Sequence, residues 1–93
     1  LDPGFGFAKT MQQNYHLLRH LNCLKILDAP VLVGLSRKSM LYQAVGTDAE
    51  HALNATTAAH MIALCQGADI LRVHDVKAAR ETIKIFKSTY PVI

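Results

Sequence analysis

The stretch Ile70-Leu71-Arg72-Val73-His74-Asp75 begins as an apolar β-strand and ends in charge. Strand side chains alternate between faces, so Arg72 and His74 share one face and Leu71 and Val73 the other. A parallel strand buried on both sides normally reads as an unbroken apolar run. A guanidinium and an imidazole near its C-terminal end therefore need a reason. In α/β proteins that end is where ligands bind. Two readings are open from this strand alone: a structural Arg–carboxylate pair, or a binding site.

The rest of the chain repeats the pattern. Residues 1–9, LDPGFGFAK, form a loop with Gly4 and Gly6 at its turns, and Leu1 has the character of a strand end. A helix is predicted over about residues 11–27, with Thr10 and Gln13 as a capping box and Met11, Tyr15, Leu18 and Leu21 as its inner stripe. Asp28-Ala29-Pro30 stops it. The apolar run Val31–Leu35 predicts a buried strand, and it ends at once in Ser36-Arg37-Lys38-Ser39. Thr47-x-x-Glu50 has the form of a second capping box, opening a helix to about Gln66 whose Ala55, Ala58, Ala59 and Ala63 suit close packing on a sheet. Gly67 ends it. After strand 69–74, Asp75 is placed to cap a helix over about 76–89, with Val76, Ala79, Ile83 and Phe86 inward. The order (β)α-βα-βα predicts an α/β fold with a parallel sheet, either part of a (β/α)8 barrel or part of an open doubly wound sheet. No GxGxxG follows a strand, which weakens the dinucleotide-binding version.

Composition narrows the function classes. The formal charge is +3 with histidine neutral, and the basic residues are spread out, against a nucleic-acid partner. No apolar run reaches membrane-spanning length. Cys23 and Cys65 lack metal-site spacing and read as buried, reduced thiols of a cytosolic protein. The abrupt start at Leu1 reads as a piece of a larger protein, with residues 1–93 all expected to belong to one domain of it.

In a parallel sheet all three strand ends share one rim. Lys38, Arg72 and His74 would converge there beside a helix N-terminus, as an anion site suited to phosphate. Asp2 adds a lone carboxylate, either a counter-ion to that rim or a grip for an amidine-like edge through two parallel hydrogen bonds.

Three motifs in order, Leu-Asp-Pro-Gly-Phe-Gly-Phe at 1–7, Gly-Leu-Ser-Arg-Lys-Ser at 34–39 and Arg-Val-His-Asp at 72–75, resemble bacterial dihydropteroate synthase. The resemblance implies a (β/α)8 TIM barrel of which this chain is the C-terminal part, the last three βα units. It implies condensation of 6-hydroxymethyl-7,8-dihydropterin pyrophosphate with p-aminobenzoate, the folate-synthesis step that sulfonamides target. By motif, Asp2 would hold the amino-pyrimidine edge of the pterin, and Lys38 would bond the ring beside the reacting centre as the catalytic residue. Arg72 and His74 would bind pyrophosphate. Phe7 would pack on the aminobenzoate ring, and Ser39 would meet its carboxylate. The resemblance further implies Mg²⁺ held by a ligand upstream of this sequence, a cytoplasmic homodimer, and no metal site within these residues. Ala8 departs from the family, which more often has Gly there, and a slight change of loop backbone is expected.

Three rival readings are a pterin-dependent methyltransferase barrel, an inactive fragment, and a Schiff-base role for Lys38 with its pKa lowered by the adjacent Arg37. The first has no pyrophosphate to hold, which Arg72 and His74 argue against. His16, His20, His51 and His60 read as surface or packing residues.

Overall fold

The computed structural model describes residues 1–91; Val92 and Ile93, the end of the expected domain, lie outside the described residues. Helix α1 spans Met11–Arg19, β1 Leu32–Val33, α2 Ser39–Ala44, α3 Leu53–Cys65, β2 Ile70–Leu71 and α4 Val76–Thr89, with 3-10 turns at Leu21–Leu27 and Ala49–His51. The strands pair in parallel, Leu32 with Ile70 and Val33 with Leu71. Leu1 extends this ladder on the other side of β1. Its carbonyl accepts from Leu32 N at 2.6 Å and its nitrogen donates to the Pro30 carbonyl at 2.7 Å, the pattern of a third parallel strand.

The core gathers where the strands meet α1, α2 and α3. Val31, Val33, Leu35, Leu18, Leu21, Met40, Leu41, Ala59 and Ala63 are all buried, together with Phe5 from the first loop. One strand face supplies Val31, Val33 and Leu35, the period-two pattern read from the sequence. The opposite face is where Gly34 and Arg72 lie side by side, one residue beyond the paired Val33 and Leu71.

Several local expectations change. The helix predicted to run to residue 27 ends at Arg19 and tightens into the 3-10 turn. There Leu21 and Leu24 stack three apart, the spacing that a 3-10 turn eclipses, so Leu21 stays buried. Met11, in the open first turn of α1, is exposed rather than inward. Thr47 does not cap the next segment. Asp48 does, accepting from both the backbone N–H and, at 2.8 Å, the ring Nδ1 of His51, and α3 begins later, at Leu53. Ala58 is exposed, because α3 packs chiefly against α4 and turns that position outward. Val76 likewise starts α4 in solvent. Cys23 and Cys65 are exposed, on the outer sides of their segments, not buried. The capping box at Thr10 and Gln13 is present, and α4 has the predicted limits.

Candidate functional site

Two adjoining clefts open at the C-terminal ends of the strands. The first, about 130 Å³, is lined by Gly34, Ser36, Lys38, Arg72, Val73 and His74. The second, about 270 Å³, is lined by Phe5, Gly6, Phe7, Lys38 and Ser39. Lys38 belongs to both.

Arg72 reaches its place because its cross-strand neighbour has no side chain. Its guanidinium lies on Gly34, where an added Cβ would come within 2.3 Å of Nη2. From there Nη1 faces Asp2 Oδ2 at 3.5 Å, a long contact between groups that are 57% and 40% exposed. Asp2 also caps its own turn, Oδ1 accepting from Gly4 N at 2.9 Å. Asp2 does not line the first cleft; it borders it through Arg72. His74 is fixed by Ser36, whose buried Oγ accepts the His74 backbone N–H at 3.2 Å and lies 2.8 Å from the ring Nδ1.

Lys38 is the N-cap residue of α2, and its ammonium donates to the Phe5 carbonyl while standing 5.4 Å from the centre of the Phe7 ring. Partial burial lowers its pKa, and the neighbouring Arg72 lowers it further, partly opposed by Asp2. Arg37 is not the cause. It turns away, its Nε and Nη2 each bonding the Asp75 carboxylate at 2.9 Å and its Nη1 bonding the carbonyls of Ala49 and Glu50. That pairing also explains why Asp75 makes no side-chain cap on α4. The Arg37 hydrogen bonds hold the Asp75 carboxyl below the usual carboxylate range.

Phe7 is 70% exposed where it lines the second cleft, and exposed Ser39, the first residue of α2, lines the same cleft. The loop that carries Phe7 is pinned by residues the sequence did not single out. Buried Asn14 accepts from Gly6 N at 2.9 Å, and Lys9 Nζ donates to the Gly4 carbonyl at 2.8 Å. A polar residue on the apolar side of a predicted helix was the available signal for Asn14. Ala8 in this loop has φ of 50°, the left-handed region, where alanine bears about 1 kcal/mol of backbone strain that glycine would not. His60 is a buried packing histidine, and burial lowers its pKa.

A family model described as "Pterin binding enzyme" matches residues 1–74. The dihydropteroate synthase of Escherichia coli K12 is 44% identical over 89 residues, covering 96% of this chain and 32% of its own length. That of Haemophilus influenzae is 43% identical over 88 residues, covering 95% and 32%. The crystal structure of the Yersinia pestis dihydropteroate synthase superposes with a TM-score of 0.96 at 44% identity, over 99% of this chain and 38% of that one. A Thermus thermophilus dihydropteroate synthase in complex with 6HMPPP gives 0.92 at 44% identity, over 97% and 36%. The chain spans about a third of the length of the curated relatives it matches. Its fold is that of a portion of their barrel.

Proposed function

The chain belongs to the pterin-binding enzyme family, and on that premise we propose that it supplies the last three βα units, residues 1–93, of a dihydropteroate synthase barrel. The observation that carries this reading is the pair of clefts joined at Lys38, one cationic and one walled by phenylalanine. In the proposed reaction, the amine of p-aminobenzoate attacks the methylene of dihydropterin pyrophosphate, and the bond to pyrophosphate oxygen breaks.

Arg72 and His74 would take the diphosphate, because charge grows on the leaving oxygen and fixed donors stabilise it. Asp2 keeps lone pairs on both oxygens despite its turn hydrogen bond, enough to accept two N–H groups from a pyrimidine edge. Lys38 would bond the ring and stand beside the breaking bond. Phe7 would wall the aminobenzoate ring, and Ser39 with the first turn of α2 would meet its carboxylate. Mg²⁺ does not fit the groups present: among the described residues no cluster of three or more His, Cys, Asp or Glu could hold a metal ion. Its ligands would belong to segments outside this sequence. Exposed Val76 and Ile85 on α4 support a homodimer, and two free cysteines support a cytoplasmic, reducing setting. None of the described helices is long and apolar enough to cross a membrane.

The test is a pair of variants in the full-length enzyme that carries this sequence. Arg72→Ala should weaken binding of pterin pyrophosphate and of inorganic pyrophosphate and leave free pterin nearly unchanged, with a rate loss of roughly a hundred- to a thousand-fold. Asp2→Asn should weaken pterin and pterin pyrophosphate alike, since an amide presents only one acceptor oxygen. If Arg72→Ala loses pterin as severely as pyrophosphate, or Asp2→Asn binds pterin normally, the assigned roles are wrong.

A further inference from the structure

Ser36 is 6% exposed and meets His74 across the ends of the two strands. A serine hydroxyl has one proton and two lone pairs. One lone pair takes the His74 backbone N–H at 3.2 Å, and Oγ has no other partner than the His74 ring among the described residues. The hydroxyl proton then has one acceptor within reach, Nδ1 at 2.8 Å. The opposite arrangement, with Nδ1–H donating to Oγ, would leave a buried hydroxyl proton without an acceptor, which is costly. An accepting Nδ1 puts the proton of a neutral imidazole on Nε2, the far edge of the ring.

We propose that Ser36 is a positioning residue that holds neutral His74 as its Nε2–H tautomer, so that the imidazole presents a hydrogen-bond donor to an anionic oxygen without first being protonated. The other tautomer would turn a lone pair toward the phosphate oxygens and repel them. The consequence for binding rests on the reading of His74 as a diphosphate ligand; the tautomer itself does not.

The experiment uses the full-length enzyme with ¹⁵N-labelled histidine, at a pH about two units above the ordinary imidazole pKa of about 6.5. Wild-type His74 should show a protonated Nε2 and a bare Nδ1 in long-range proton–nitrogen spectra. A protonated Nδ1 there overturns the proposal, whatever the variants do. Ser36→Ala should give a mixture of tautomers and bind inorganic pyrophosphate about three- to tenfold more weakly, the range of one neutral hydrogen bond, with free pterin binding unchanged. Ser36→Thr, which keeps the hydroxyl, should restore both signals and serves if the alanine variant does not fold. His74→Ala separates the two levels. If it leaves pyrophosphate binding intact, His74 is not a diphosphate ligand, and the functional reading fails while the wild-type spectrum still decides the tautomer. If it abolishes that binding but Ser36→Ala changes neither tautomer nor affinity, the positioning role fails.

Discussion

Gly34→Ala tests the placement of Arg72 without removing the arginine. A Cβ there would lie 2.3 Å from Nη2, 2.8 Å from Cζ and 3.0 Å from Nε of Arg72. Ordinary contact begins at 3.4 Å, so the nearest nitrogen must retreat from 2.3 to 3.4 Å, roughly 1.1 Å. Gly34 is not among the positive-φ residues, so its backbone accepts alanine. The colliding atoms are the end of a long, half-exposed side chain, which swings away at little cost to folding. Replacing a strand glycine with alanine can even add about 0.5–1 kcal/mol of stability. Function should not be spared. A catalytic group misplaced by about 1 Å can lose roughly a hundredfold, or about 2.7 kcal/mol of transition-state stabilisation. The assay is dihydropteroate formation by the full-length variant, with pyrophosphate titration and urea unfolding beside it. The expected result is a roughly hundredfold fall in kcat/KM with unfolding free energy unchanged or slightly raised. A kcat/KM within about threefold of wild type would show that Arg72 is not held by the space over Gly34, and a stability loss above about 2 kcal/mol would show that its side chain does not swing away freely.

Other outcomes follow from single contacts. Asn14→Ala should cost about 1–3 kcal/mol in urea unfolding, by leaving the Gly6 N–H without its acceptor, and should raise the KM for p-aminobenzoate through the loosened Phe7 loop. Ala8→Gly should stabilise by about 1 kcal/mol in the same assay, because it relieves a left-handed alanine. Asp75 has a folded pKa below the ordinary value, so its contribution is present above about pH 3.9 and lost as pH falls through the folded value. Asp75→Asn should therefore lower stability at neutral pH and flatten the acid loss below about pH 4, read as unfolding midpoint against pH. A polypeptide of these 93 residues alone should form no dihydropteroate and should self-associate, since β2 offers an unpaired edge among the described residues; turnover by it would refute the division of the site argued above.

The strand ends were legible because charge at the end of an apolar run is energetically costly and so conspicuous. Lys38, Arg72 and His74 meet at one cleft for that reason, and α4 was legible because its apolar spacing is regular. What escaped was competition between partners. Asp75 looks like a helix cap in sequence, but a bidentate guanidinium from 38 residues away wins over a backbone N–H. Thr47 likewise yields to Asp48, which gains a histidine as well as a backbone donor. The break after Arg19 carries no proline or glycine, since burial of Leu21 decides it. The rival reading has Arg37 lower the Lys38 pKa, whereas burial does so first and Arg72 from the adjacent strand second.

Asp69 lies at the opposite rim, where its carboxylate takes Lys25 Nζ at 2.7 Å and Val31 N at 2.8 Å. These contacts span 44 and 38 residues, the second matching the separation of Leu32 and Ile70 in the β1–β2 pair. Closing a loop of that length costs about 3 kcal/mol in chain entropy, before any sheet contact offsets it. An exposed ion pair and a backbone acceptor at the mouth of that loop offset part of that cost in the folded state, at the foot of the strands and away from the clefts. If these contacts form before the sheet closes, substitutions at Asp69 should slow the refolding limb of a chevron and leave turnover unchanged; a change confined to the unfolding limb would show that they form late.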